Sequence, residues 1–342
     1  MITPSEALGR LCDGEDLSKA EVAELFGQLM DGEMSNIEKS ALLVALRMKG
    51  ETPAEIAGAA VAMRQRVIAV EHRCPEVVDT CGTGGDGSGT FNISTAAALV
   101  AAAGGATVAK HGNRSVSSRS GSADVLSALG LDKILGPREA GRCLAEVGIA
   151  FLFAPRFHPA MREVMPVRRA LALRTVFNVL GPLTNPAGAH CQLVGVYQES
   201  LVEVVARVLA DLGSRHALVV HGDGLDEITT TGETLIGEVR DGGVTLARWT
   251  PEKLGTAAVA KSDLAGGEPQ ENAAVMERLL QGEAGPLAEI TAVNAGAALY
   301  VGGRAETLVD GIAAARRLLA EGTAWERLEA LRRFTASAEE DV

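Results

Sequence analysis

The chain has 342 residues, 47% hydrophobic and only 3% aromatic, so it carries a large aliphatic core and is too apolar to be disordered throughout. Its formal net charge of −12, with no run of like charge forming a basic patch, argues against nucleic acid or an anionic membrane as partner. Five scattered cysteines (Cys12, Cys74, Cys81, Cys143 and Cys191) lack any Cys-x-x-Cys pair, which argues against a disulfide framework or a zinc site and suits a reducing cytoplasm.

The opening residues, Met1-Ile-Thr-Pro-Ser-Glu6, have no basic region followed by an apolar one, so no secretory signal is expected. The first seventy residues read as helices. Ser18 is followed by Glu21, Ser35 by Glu38, and Thr52 by Glu55 with Pro53 at the first helical position. In each pattern a hydroxyl and a carboxylate reciprocally satisfy free N–H groups at a helix start. Val22, Leu25, Phe26, Leu29 and Met30 share one helical face, and Gly50 stops the helix begun at Ser35. No strand is expected before about residue 76.

From Val77 onward short strands alternate with helical patterns. Strands are expected at 77–78, 106–109, 149–153, 193–197 and 217–220, with helices at 94–103, 121–130, 137–147 and 199–212. That alternation implies parallel strands with helical crossovers. The most apolar stretch, 93–108, is broken by Ser94, Thr95, Gly104 and Gly105 and falls short of the ~20 residues of a membrane span. Segments 234–240 and 244–250 flank Asp241-Gly-Gly243 as a hairpin, and helices return at 305–321 and 324–337.

The segment from Asp79 to Thr95, which includes Cys81-Gly-Thr-Gly-Gly-Asp86, joins a strand to an Ala-rich helix. Glycines let backbone N–H groups approach an anion, and the helix N-terminus adds partial positive charge. Thr83, Thr90, Ser94 and Thr95 add hydroxyls, so a phosphate or pyrophosphate cradle is the expected role. Gly82, Gly84 and Gly87 fit the dinucleotide fingerprint. However, the helix starts too late for it, and about 20 residues on stands Lys110 where an acidic ribose ligand belongs. No Lys-Ser or Lys-Thr follows the glycines, which removes the Walker pattern. Next comes Lys110-His-Gly-Asn-Arg-Ser-Val-Ser-Ser118 at the carboxyl end of a strand, where open α/β sheets bind ligands.

These motifs together resemble the anthranilate phosphoribosyltransferase family. Cys81-Gly-Thr-Gly-Gly-Asp86, Asn92-Ile-Ser-Thr95, Lys110-His-Gly-Asn-Arg114 and Ser120-Gly-Ser-Ala-Asp-Val-Leu126 carry the likeness. So do Arg174-Thr-Val-Phe-Asn-Val-Leu-Gly-Pro-Leu-Thr-Asn-Pro186 and His221-Gly-Asp-Gly-Leu-Asp-Glu-Ile228, all colinear with the family. Ser127, Ala170 and Ala172 depart from its usual residues, at positions where no ligand contact is expected. The resemblance implies an α/β fold: a small all-helical domain plus a large domain with a mainly parallel central sheet. It places the small domain at 1–70 with 163–187 and the large one at 71–162 with 188–342, with the site in the cleft between them and a homodimer as the assembly.

The implied reaction moves the 5-phosphoribosyl group of phosphoribosyl pyrophosphate (PRPP) to the amine of anthranilate, releasing pyrophosphate, as a step of tryptophan biosynthesis. The family's PRPP contacts map to Gly82, Gly85, Asp86, Thr90, Asn92, Ser94, Thr95, Lys110, Asn113, Ser118 and Ser122. Anthranilate contacts map to Gly82, Asn113, His111, His158 and Arg168, whose planar guanidinium suits a carboxylate. Magnesium maps to Ser94, Asp226 and Glu227. Adjacent carboxylates reach one site only from a loop, which Gly222 and Gly224 make available. An aromatic amine is neutral at pH 7, so no covalent nucleophile is expected, and Cys81 is read as a packed thiol.

Three alternatives compete with this reading. A pyrimidine nucleoside phosphorylase is disfavoured by Lys110-His-Gly-Asn-Arg114 and Thr184-Asn-Pro186. A nucleic-acid-binding relative is disfavoured by the acidic charge, and an inactive scaffold by the intact set of matched positions.

Overall fold

A computed structural model describes residues 2–114 and 119–339. The chain opens with four helices: α1 (Pro4–Cys12), α2 (Lys19–Met30), α3 (Asn36–Lys49) and α4 (Pro53–Arg64). Each begins with a complete capping box. Ser18, Ser35 and Thr52 are joined by Thr3 with Glu6, which the sequence reading had not singled out. Gly50 closes α3 at φ 90°, a left-handed conformation that a side chain would strain. Glu55 does more than cap α4: it also accepts from the Leu17 amide at 3.0 Å and from Lys49 Nζ at 2.9 Å. One buried carboxylate thus ties α4 to α3 and to the start of α2.

The remaining elements are β1 (Val78–Asp79), α5 (Ile93–Ala103), β2 (Val108–Gly112), α6 (Ser122–Ala128), α7 (Pro137–Glu146), β3 (Ile149–Phe153), α8 (Ala154–Phe157) and α9 (Met165–Leu171). Then follow β4 (Cys191–Gly195), α10 (Leu201–Asp211), β5 (His216–Gly222), β6 (Thr234–Arg240) and β7 (Gly243–Trp249). Helices α11 (Pro269–Leu280), α12 (Pro286–Val301), α13 (Leu308–Ala320) and α14 (Thr323–Ser337) complete the chain. The strands form one sheet in the order β3-β2-β1-β4-β5-β6-β7. The first five are mutually parallel, while β6 and β7 continue antiparallel as the expected hairpin.

Strand order reverses at β1, since β2 and β3 lie on one side of it and β4 and β5 on the other. Such a switch point opens a crevice at the carboxyl ends of the strands. The glycine-rich loop leaves β1 at that point and is pinned across it. The Thr83 amide donates to the Gly195 carbonyl at 2.8 Å, and the Tyr197 amide donates to Thr83 Oγ1 at 3.1 Å.

Helices α11 and α12 were not among the expected elements. Helix α12 is buried all round from Ile290 to Leu299, so its apolar pattern has no period to read. Its start signal, Pro286 at the first helical position, was present. Two apolar cores result. One fills the space between the sheet and α5, α12 and α13. The other joins the N-terminal helices to Val164, Val167, Phe177 and Leu180, and it extends without a gap onto Val205 of α10 and Val219 of β5.

Gly58 sets the approach of α2 to α4, because a Cβ there would lie 2.5 Å from the Lys19 carbonyl. Gly58→Ala is therefore expected to destabilise the chain by roughly 1–3 kcal/mol, as overpacking does. Urea unfolding should show a lower midpoint with an unchanged slope.

Candidate functional site

Four glycines of the loop after β1 hold left-handed φ values: Gly84 at 65°, Gly85 at 77°, Gly87 at 73° and Gly89 at 64°. This winding lets successive peptide N–H groups face one side. Asn92, the residue before α5, makes no capping bond. Its side chain instead holds Ser120 through two contacts of 3.1 Å and accepts from Asn272 Nδ2 at 2.9 Å.

Lys110, 2% exposed on β2, reaches under the loop. Its Nζ donates to the Thr80 carbonyl at 2.7 Å and to Ser94 Oγ at 3.2 Å, which places a cation at the start of α5. Facing it is the segment after β5. The Asp226 carboxylate accepts from the Gly84 amide at 2.8 Å, and the Glu227 carboxylate accepts from the Ser94 amide at 3.1 Å. Both residues leave the strand before they reach the site, as the loop requirement foresaw. Gly195 makes their approach possible, since a Cβ there would lie 1.6 Å from the Asp226 carbonyl. Asn294 of α12 fixes the segment's exit by accepting from the Ile228 amide at 3.0 Å and donating to its carbonyl at 2.9 Å.

Asp86 completes an acidic group, because its carboxylate accepts from the Ser88 amide at 3.1 Å and the Asp226 amide at 3.4 Å. Desolvation raises the pKa of both Asp226 and Glu227, and the neighbouring carboxylates add to the rise. Lys110 offsets only part of this for Glu227. The donor set is hard oxygen held at close quarters with negative charge in excess, which fits magnesium. Two backbone donors expected to face a phosphate, those of Gly84 and Ser94, are engaged by these carboxylates.

Among the described residues, Asp79, Cys81 and His111 also bring ligand atoms within 4.8 Å of one another. Their hydrogen bonds explain that cluster structurally. Asp79 accepts from the His111 amide at 3.1 Å and from Asn185 Nδ2 at 2.7 Å, while Asn185 also donates to the Ala109 carbonyl. Burial pushes Asp79 up to about 6 despite Lys110 nearby. Desolvation first, then the charge of Asp79, raises the Cys81 thiol, so the thiolate needed for a nucleophile is disfavoured.

The proposed acceptor side carries different chemistry. His111 Nδ1 lies 3.1 Å from the Gly181 carbonyl, and the Nε2 atoms of His111 and His158 are 3.2 Å apart. A carbonyl only accepts, so His111 carries its proton on Nδ1 and its Nε2 accepts from His158 Nε2. This one-way chain leaves His158 Nδ1 as the bare nitrogen. Desolvation holds His158 near 4, and desolvation together with repulsion from His158 holds His111 near 3, so both are neutral at pH 7.

Arg168 stands on α9 with its guanidinium 5.7 Å from the Phe177 ring centre, and it pairs with no carboxylate among the described residues. Desolvation lowers its pKa. Arg174 lies over Tyr197 at 4.2 Å and donates to the Gly85 carbonyl, while Arg47 donates to the Arg174 carbonyl. Because a trans peptide points its C=O and N–H in opposite directions, Arg174 turns the Asp86 amide away from itself.

Gly82, Gly85, Asp86, Ser94, Lys110, Asp226 and Glu227 thus form one connected group. Thr90 meets Ser88 Oγ at 3.2 Å on its margin, and Thr95 is buried in the first turn of α5. Asn113 is exposed and anchors α6, its carbonyl accepting from Ser122 Oγ at 3.1 Å. Ser118 lies outside the described residues. Asp79, Thr80, Arg174, Asn185 and Asn294 were not singled out as supports of the site, although all but Asn294 stood inside quoted segments.

Family models describe the two parts of the chain separately. Residues 5–67 match the helical bundle domain of a glycosyl transferase family, and residues 74–325 match its a/b domain. An anthranilate phosphoribosyltransferase of Symbiobacterium thermophilum is 50% identical over 96% of this chain and 96% of its own length. The chain belongs to the anthranilate phosphoribosyltransferase family.

Solved structures of family members agree in fold. The Thermus thermophilus member superposes with a TM-score of 0.91 at 47% identity, covering 97% of this chain and 99% of that one. The Saccharomyces cerevisiae member, solved in complex with PRPP and Mg, superposes with a TM-score of 0.88 at 27% identity, covering 98% of each chain. Another structure of the yeast protein holds 4-fluoroanthranilate.

The depressed histidine values have a consequence for stability. Stability from burying neutral His158 is fully present above the unfolded pKa near 6.5 and is lost as pH falls through about 4. Replacing the residue by His158→Gln keeps an N–H donor and removes the titration. From pH 7 to pH 5 the wild type should lose about 2 kcal/mol more than this variant in urea unfolding.

Proposed function

We propose that the chain transfers the 5-phosphoribosyl group of PRPP to the amine of anthranilate, giving N-(5-phosphoribosyl)anthranilate and pyrophosphate. The observation that carries this reading is the meeting of glycine-rich loop, Lys110 and acidic pair at the switch point of the sheet. Gly82, Gly85, Asp86, Thr90, Asn92, Ser94, Thr95, Lys110, Asn113, Ser118 and Ser122 are the proposed PRPP residues.

Ser94, Asp226 and Glu227 would hold magnesium, whose charge, when bound, would stabilise the departing pyrophosphate. Lys110 supplies a fixed cation beneath the same group. The Gly85–Asp86 peptide, oriented by Arg174, presents an N–H away from the arginine. Bond breaking at the sugar carbon ahead of amine attack requires charge stabilisation and positioning, not a strong base. The neutral pair His111–His158 suits a substrate amine that arrives uncharged. Arg168, without a carboxylate partner among the described residues, is the proposed partner of the anthranilate carboxylate, and Gly82 and Asn113 are the further proposed anthranilate contacts.

The test is loss of anthranilate fluorescence in a mixture of the chain, PRPP and magnesium. The signal should require all three, whereas phosphate-dependent nucleoside cleavage without PRPP would replace this reading by a phosphorylase. In the same assay Arg168→Ala should raise KM for anthranilate roughly 10- to 100-fold, the worth of one charge-assisted contact, and leave KM for PRPP nearly unchanged. Equal weakening of both substrates would remove Arg168 from the role.

The reading extends to place and assembly. A cytoplasmic step of tryptophan biosynthesis fits the cysteine usage, and no helix among the described residues is long and apolar enough to cross a membrane. The domain division at 1–70 with 163–187 draws support from the core that these segments share, a core that also continues onto α10 and β5. Helix α3 supports a homodimer: Ile37 and Met48 are 82% and 81% exposed, and Ala41 and Val44 lie between them on the same face. Ile37→Glu together with Met48→Glu should convert a dimer to a monomer in light scattering, and an unchanged mass would place the interface elsewhere.

A further inference from the structure

Away from the glycine-rich loop is a cavity of about 300 Å³. It lies where residues 65–70, leaving α4, run beside residues 185–190, entering β4. Its walls are mostly apolar, with Val67, Val70, Pro186 and Ala187 among them, and four polar side chains line it as well: Arg64, Asn185, His190 and Gln192. None of its lining residues belongs to the proposed PRPP, anthranilate or magnesium positions.

Arg64, at the end of α4, donates from Nε to the Leu183 carbonyl at 2.7 Å. It forms no ion pair with a described carboxylate, and desolvation with no counter-charge lowers its pKa. Gln192 of β4 is 1% exposed. Its Nε2 donates to the Pro182 carbonyl at 2.6 Å, and its Oε1 has no partner among the described residues. The amide cannot be turned round, because the Pro182 carbonyl only accepts and would repel Oε1.

Apart from the exposed His190 ring, other polar groups of the walls are engaged within the protein. The Pro186 carbonyl accepts from the Val70 amide at 3.0 Å, and the Ala187 carbonyl lies 2.8 Å from His72 Nε2. Asn185 holds Asp79, the Ala109 carbonyl and the Ala187 amide. What the cavity offers a ligand is therefore one guanidinium fork, one lone acceptor, the exposed His190 ring and an apolar wall. A buried acceptor without a partner costs about 1–3 kcal/mol, so a ligand donor there gains directly.

We propose that this cavity binds a small carboxylic acid carrying an N–H or O–H donor. The carboxylate sits on the guanidinium of Arg64, the donor on Gln192 Oε1, and the hydrocarbon body against Val67, Val70 and Pro186. The volume stands at the lower end of the roughly 300–1,000 Å³ typical of ligand pockets, which limits the acid to one small ring or a short chain.

The test is calorimetric titration of the full chain with benzoate, 3-hydroxybenzoate and 4-hydroxybenzoate. It is run in the Arg168→Ala background, so that the proposed anthranilate position does not contribute. A hydroxybenzoate should bind more tightly than benzoate. Arg64→Gln should weaken every acid tenfold or more, and Gln192→Leu should bring the hydroxybenzoates down to the affinity of benzoate. Crystals soaked with 3-bromo-4-hydroxybenzoate locate the acid by bromine scattering even where Arg64→Gln does not fold, and density between Arg64 and Gln192 is expected. Absence of heat from all three acids, affinities indifferent to both substitutions, or bromine density elsewhere would each overturn the proposal. None of these outcomes bears on the transferase assay.

Discussion

The structure depends on one electrostatic constraint, the placing of Asp226 and Glu227 against the amides of Gly84 and Ser94. Carboxylates removed from water are costly unless hydrogen-bonded and neutralised. Here the hydrogen bonds are present and the neutralisation is partial, since Asp86 adds a third negative group and Lys110 is the cation beside them. The raised pKa of both residues expresses that imbalance. A divalent cation with its phosphates removes it, so the excess of negative charge reads as a demand for a ligand and not as a packing defect.

Much of the fold serves to make that approach possible. Gly195 lets the Asp226 backbone touch the end of β4, and Gly82 leaves room for the Asp226 carboxylate, 2.5 Å from where a Cβ would stand. Asn294 holds the segment from behind, from a helix buried on every side. The switch between β1 and β4 opens the crevice, and Thr83 stitches its two margins together. These side chains are held from several directions, because their partners come from backbone and from a core helix.

Legibility in the sequence followed the range of the interaction. Ser18, Ser35 and Thr52 each satisfy amides three residues away, so their helix starts were visible in a few letters. β3 was read at its observed limits because Ile149–Phe153 is a compact apolar run after a turn. Helix α12 carried no period and only Pro286 as a start signal, and its contact with Ile228 spans 66 residues, so its service to the site had no local signature. The glycine cradle was legible as chemistry. The engagement of its Gly84 amide by a carboxylate 142 residues away was not. Motif likeness supplied Asp226, Glu227 and Arg168, and geometry then gave each a physical setting.

The two sides of the site differ in charge for a reason tied to the whole chain. A net charge of −12 repels both PRPP and anthranilate, so local cations must overcome the general field. In the proposed function Lys110 and the acidic group would work as a pair on the phosphate side: a cation fixed to the protein, and ligands for a second one that would arrive with substrate. On the other side a charged histidine pair would add attraction for a carboxylate, yet desolvation keeps both rings neutral and Gly181 fixes the direction of their proton chain. In the proposed function attraction there falls to Arg168, which pairs with no carboxylate among the described residues. Its guanidinium would orient the carboxylate, and neutral rings would leave the amine free to react at the sugar carbon.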